Sequence, residues 1–125
     1  MPSLIVTRTD LELLKLLGEH PALLRELERA AVVPPFKVPP NLVTMNSRVL
    51  YLDRTTGVRR AVKLVYPPQA DGRGRLSVTS PLGTALLGLR TGQEIEWDFP
   101  GGDRRRLRVE EVVTQPERRG ARRAL

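Results

Sequence analysis

The sequence predicts an α+β fold in which one short helix covers an antiparallel sheet. Three observations carry this reading. Apolar and polar residues alternate over 48–53 and 93–99, as half-buried strands do. A leucine-rich stretch opened by serine and proline, residues 80–89, lies between strand-like segments. Leucine stripes fill the first thirty residues and end in a cluster of prolines. With 125 residues the chain has room for one domain, or one domain and a small appendage.

In chain order, residues 4–6 form a short apolar run suited to an edge strand. Thr9-Asp10-Leu11-Glu12 fits a capping box, with Thr9 as N-cap and Glu12 reaching back. Leu11, Leu14 and Leu17, with Leu13 beside them, predict an amphipathic helix that Gly18 ends. His20-Pro21 opens a second helix with Leu23, Leu24, Leu27 and Ala31 on one face. A tight turn between them makes an antiparallel hairpin, each arm about ten residues or roughly 15 Å long. Pro34, Pro35, Pro39 and Pro40 then fix φ and remove amide donors, so an extended linker follows. The expected division is a hairpin and linker over 1–40, a sheet domain over 41–115 and a disordered basic tail over 116–125. A ligand for a proline-recognising partner is the other use such a linker allows.

In the sheet domain Val49, Tyr51 and Asp53 share one face, and Thr55-Thr56-Gly57 turns the chain. A mostly buried strand over 58–66 ends at Pro67-Pro68, and Leu76 and Val78 mark a short strand. Ser80 is a good N-cap, because its hydroxyl can accept from an orphan backbone N–H, and Pro81 suits the first helical position. Leu82, Leu86 and Leu89 give that helix an apolar side, and Gly88 and Gly92 supply stops. Ile95, Trp97 and Phe99 face one way, and Glu94, Glu96 and Asp98 the other. After Pro100-Gly101-Gly102-Asp103, Leu107, Val109 and Val112 lie on the returning strand. Arg104, Arg106 and Arg108 would then face the acidic row and pair with it.

The net charge of +7 is unevenly placed: residues 1–45 balance to zero, 46–115 carry +4 and 116–125 carry +3. Such a field favours encounter with anionic surfaces, and an arginine-rich proteome would give the same excess without a partner. The chain has no cysteine, which removes disulfides, thiol catalysis and cysteine-based zinc sites. His20 is the sole histidine, so no two-imidazole site can form, and it reads as a turn-flanking residue. No Gly-x-Ser-x-Gly elbow or phosphate-binding loop is present. We expect no catalytic residues, no metal and no cofactor. A start without a signal-peptide pattern and the lack of a membrane-length apolar run make a cytoplasmic protein the expectation.

One resemblance is specific. Val-Thr-Met-Asn-Ser (43–47), Leu-Val-Tyr-Pro (64–67), Leu-Ser-Val (76–78), Ser-Pro-Leu-Gly-Thr-Ala-Leu-Leu-Gly-Leu (80–89) and Phe-Pro-Gly-Gly (99–102) occur in the order seen in the Rnk family. Those regulators of nucleoside diphosphate kinase are related to the C-terminal domain of the transcript-cleavage factors GreA and GreB. The resemblance implies an FKBP-like sheet domain and a non-enzymatic, monomeric regulator that docks on RNA polymerase near its secondary channel. The docking residues it implies are Ser80, Pro81, Leu82, Leu87, Gly88, Arg90, Phe99, Pro100, Gly101 and Gly102, with Glu19 and His20 at the hairpin tip. Gre hairpins are much longer and end in acidic residues that help hold a catalytic magnesium. Here the turn offers one carboxylate, Glu19, where a shared Mg²⁺ site usually needs two oxygen donors. We therefore expect a stubby projecting arm that occupies the channel mouth without cleaving transcripts. The alternatives are a basic nucleic-acid-binding module, with the tail arginines making weak phosphate contacts, and a prolyl isomerase of the FKBP-like kind.

Overall fold

A computed structural model describes residues 4–18, 20–99 and 101–118. The elements in order are β1 (Ile5–Val6), α1 (Arg8–Lys15), α2 (Pro21–Glu28), β2 (Ala31–Val32), β3 (Arg48–Asp53), β4 (Val58–Val65), β5 (Arg75–Ser77), α3 (Pro81–Leu86), β6 (Glu94–Phe99) and β7 (Asp103–Thr114). The larger sheet runs β5-β4-β3-β7-β6 and is curled over an aliphatic core. Its β3–β4, β3–β7 and β6–β7 pairs are antiparallel.

The expected all-antiparallel sheet needs one correction: β5 runs parallel to β4. Parallel neighbours normally require a long crossover because the chain must travel back the full strand length. Here Lys63 pairs Arg75 and Val65 pairs Ser77, so the chain retreats only two positions and a short loop suffices.

Two shifts in the β3–β7 register keep β7 facing inward along its length. Tyr51 pairs Val109 and Val49 pairs Val112, so β7 spends an extra residue between them. That bulge moves Val112 onto the same buried face as Leu107 and Val109, which strict alternation would not do.

A two-helix element occupies the stretch expected as a hairpin, and its inner leucines are packed into the core. Leu14, Leu23 and Leu27 are buried in one cluster with Val43, Val49, Leu86 and Val109. Its two feet are tied together: β1 and β2 pair in parallel, the Ala31 amide donates to the Leu4 carbonyl at 2.7 Å, and the Val33 amide donates to Val6 at 2.9 Å. Tyr66, after β4, adds a strut by donating its hydroxyl to Asp10 Oδ1 at 2.7 Å. Leucines at helical spacing need an apolar surface, and the nearest is the rim of the sheet. Leu13 and Leu16 face solvent. The cap is also displaced: Thr7, not Thr9, is the N-cap of α1, and its Oγ1 accepts from the Asp10 amide at 3.2 Å. Ala31 leaves α2 and enters β2.

The start of the expected disordered tail is packed. Gln115 and Glu117 are buried. Gln115 Nε2 donates to the carbonyls of Pro39 and Leu42, both at 2.8 Å. Thr44 Oγ1 donates to Glu117 Oε1 at 2.5 Å, and Arg118 donates to the Val112 carbonyl at 2.7 Å. Polar anchors replace apolar periodicity here, so Arg118 is engaged, contrary to expectation. Residues 119–125, with Arg119, Arg122 and Arg123, lie outside the described residues.

Candidate functional site

The stretch 77–91 shows how sequence places a surface. Ser80 Oγ donates to the Ser77 carbonyl at 2.6 Å and accepts from the Gly83 amide at 3.0 Å, fastening the start of α3 to the end of β5. Thr84 Oγ1 donates to the Val78 carbonyl at 2.7 Å, adding a second tie. Gly83 is required by proximity, since a Cβ there would lie 2.1 Å from the Ser77 carbonyl oxygen. The helix ends at Leu86, so the expected Leu82/Leu86/Leu89 stripe is divided. Leu86 is buried from the helix, Leu82 is half-buried, and Leu89 is buried from the segment that follows. That segment pairs with residues 41–43: the Val43 amide donates to the Leu89 carbonyl at 2.8 Å and the Gly88 amide to Val43 at 3.0 Å.

Held in this way, the beginning of α3 forms one wall of a groove of about 410 Å³. Pro81 and Thr84 line it from α3, Trp97 and Phe99 from β6, and His20 and Pro21 from the turn before α2. Trp97 and Phe99 stay half-buried, as Ile95 does, because β6 is an edge strand of the sheet. Behind Phe99, Arg105 closes the core: its guanidinium carbon lies 5.1 Å from the ring centroid. Arg105 also pairs with Asp103 at 2.8 Å and with the buried Asp53 at 3.3 Å, and Asp103 is the leading cause of its raised pKa. Asp53 in turn accepts from the Thr55 and Thr56 amides. Arg105 was missed in the sequence because it sits within a run of three arginines; its odd register, in phase with Leu107, was the available signal.

The groove thus brings together three residues expected at a docking surface, Pro81, Phe99 and His20. Ser80 serves as a cap, Leu87 is buried, and Gly88 packs against Leu4 with φ +85°. Arg90 is exposed, its amide donating to Gln93 Oε1. Gly101 and Gly102 form the exposed β6–β7 turn and do not line the groove. Glu19 and Pro100 lie outside the described residues. Among the described residues no three His, Cys, Asp or Glu side chains converge as a metal group, and no helix is long and apolar enough to cross a membrane.

On the outer face of β6 and β7 two of the three arginines expected to pair with the acidic row do so. Arg104 reaches Asp98 at 3.0 Å and Arg106 reaches Glu96 at 3.5 Å. Arg108 lies opposite Glu94 in register, but Glu94 accepts from Arg54 at 3.0 Å instead. These pairs are exposed and contribute modestly, about 0.2–1 kcal/mol each.

The described residues thus form a five-stranded curled sheet, a serine-capped helix sealed to it through Gly83 and a two-helix element packed against it. Residues 38–114 match the family described as "Transcription elongation factor, GreA/GreB, C-term". Over 129 aligned residues, covering 95% of each chain, the protein is 41% identical to "Regulator of nucleoside diphosphate kinase" of Escherichia coli (strain K12). It is 35% identical to "Transcription elongation factor GreA" of Thermodesulfovibrio yellowstonii over 84 residues, 66% of this chain and 53% of that one. A solved structure, "Prokaryotic transcription elongation factor GreA/GreB from Nitrosomonas europaea", superposes with a TM-score of 0.75 at 39% identity, covering 91% of this chain and all of that one. The chain belongs to the Rnk family, which shares the GreA/GreB C-terminal domain.

Proposed function

We propose that the protein is a non-enzymatic transcription regulator that docks on RNA polymerase near the secondary channel through the groove at Pro81, Trp97 and Phe99. Its relatives, a regulator of nucleoside diphosphate kinase and transcription elongation factors, support the class. The observation that carries the reading is the meeting of the α3 start, the two β6 aromatics and the hairpin tip in one open groove. Trp and Phe are among the residue types enriched in the cores of protein interfaces, and Trp is a frequent hot spot.

The hairpin then acts differently from a projecting arm. Its inner leucines are committed to the core, so residues 1–40 broaden the docking face at His20 and leave the channel interior open. The effect on nucleoside diphosphate kinase level follows from altered transcription in this reading, with no contact between the two proteins. The sheet with its covering helix is read as FKBP-like, yet Trp97 and Phe99 alone do not make the enclosed aromatic pocket of a prolyl isomerase.

Competition tests the proposal. Intact RNA polymerase immobilised with labelled GreA is expected to lose GreA as the full chain is added, without any transcript cleavage by this protein. Full retention of GreA at micromolar protein in low salt would contradict shared docking.

A further inference from the structure

The outer face of the larger sheet is charge-balanced at one end and unbalanced at the other. At the β6–β7 end each arginine stands opposite a carboxylate: Arg104 opposite Asp98, Arg106 opposite Glu96, Arg108 opposite Glu94. At the β3–β4–β5 end the paired positions are Arg48 opposite Lys63, and Lys63 opposite Arg75. Three cations therefore occupy one cross-strand row, spanning roughly 10 Å at the usual strand spacing. None of them forms an ion pair among the described residues.

Like charges directly opposite on a sheet are destabilising. An arginine-rich surface with no partner would disperse them, or pair them as β6 and β7 do. Instead they line a concavity of about 730 Å³, joined by Arg73 on the β4–β5 loop. The one carboxylate in that lining, Asp71, is turned to its own loop: its Oδ1 accepts the Arg73 amide at 2.8 Å and the Arg75 amide at 3.1 Å. The loop carboxylate thus orders the segment that presents Arg73 and Arg75.

We infer that this concavity is a binding site for the phosphodiester backbone of nucleic acid, separate from the groove at Pro81 and Phe99. Charge complementarity selects an anionic partner with several closely spaced charges. Among the described residues the lining contains no aromatic side chain on which a base could stack, so phosphates are held and sequence is not read. The site lies on the outer sheet face, and polymerase docking through the other groove leaves it open to template or transcript.

Fluorescence anisotropy of the full chain with labelled mixed-sequence DNA duplex, single-stranded RNA and a polyglutamate peptide tests the site. Four phosphate contacts predict a roughly hundredfold loss of duplex affinity between 50 and 200 mM salt. In the triple variant Arg48→Gln, Lys63→Gln, Arg75→Gln that loss is expected to shrink to about threefold, as only Arg73 remains. The pair Arg104→Gln, Arg106→Gln, equally basic but already neutralised, is expected to leave binding unchanged. If the triple variant does not fold, Arg73→Gln on the exposed loop should lower the logarithmic salt slope by about one. Unchanged binding in a folded variant, equal loss in the β7 pair, loss only on removing residues 119–125, or polyglutamate competing as well as nucleic acid would each overturn the inference.

Discussion

Gly83 and Ser77 are in contact so close that a methyl group at position 83 would meet the Ser77 carbonyl oxygen at 2.1 Å. The atom it meets is backbone, which cannot swing aside. Gly83→Ala is therefore expected to push α3 off the sheet, costing about 3 kcal/mol or more. Urea unfolding measures that loss. Because α3 presents Pro81, polymerase binding should fall in the same variant.

Phe99 is the residue through which stability and docking are separable. Phe99→Ala removes the ring beneath Arg105, a cation–π contact of about 0.5–1 kcal/mol, together with a half-buried side chain packed at the edge of the core, so a moderate loss of stability is expected in a chain that still folds. If the groove is the docking surface, affinity for RNA polymerase should drop by at least tenfold, as expected for an interface anchor. Comparing thermal melts with binding isotherms separates the two effects.

Much of this was legible in the sequence. Ser80-Pro81 announced a capped helix, and the alternation over 94–99 and 104–108 placed acid opposite base across a glycine turn. Other features carried no such signature. Leu14, Leu23 and Leu27 demand an apolar surface, but spacing does not say whether it is the partner helix or the sheet. Thr7 and Thr9 are both chemically competent caps, and the tertiary placement of β1 decides between them. A bulge puts Val112 inside, and parallel pairing of β5 is hidden because three residues define no direction. The groove itself joins residues 20, 81 and 99, which only the folded-down hairpin brings together.

Gln115 shows how a polar residue can hold a chain end. Its amide nitrogen bridges the Pro39 and Leu42 carbonyls, and the side chain is buried. Gln115→Ala leaves the Leu42 carbonyl without that donor, while the Pro39 carbonyl keeps the Leu42 amide, an expected cost of about 1–3 kcal/mol. Ending the chain at residue 114 should cost at least as much, because Glu117 and Arg118 are lost too. Chemical denaturation of the two variants checks both statements; a truncation without effect would restore a disordered tail.

Tyr66 and Tyr51 should resist ionisation. Burial raises both, and for Tyr66 the hydrogen bond to Asp10 raises it further. Since the native pKa values lie above the ordinary tyrosine value near 10, this contribution to stability is complete below about pH 10. It is lost as pH climbs through the native values. Absorbance titration should show less tyrosinate at pH 10 in the folded protein than in the unfolded chain, with further ionisation appearing on unfolding. Asp10→Asn should lower the Tyr66 value while burial keeps it above 10.

The most direct test is equilibrium binding of the intact chain to purified RNA polymerase core enzyme, beside the double variant Pro81→Ala, Phe99→Ala. Saturable binding by the native chain, weakened at least tenfold in a double variant that melts as a folded protein, is the expected result. Equal binding by both, or none by the native chain at micromolar concentration in low salt, would contradict docking through the groove.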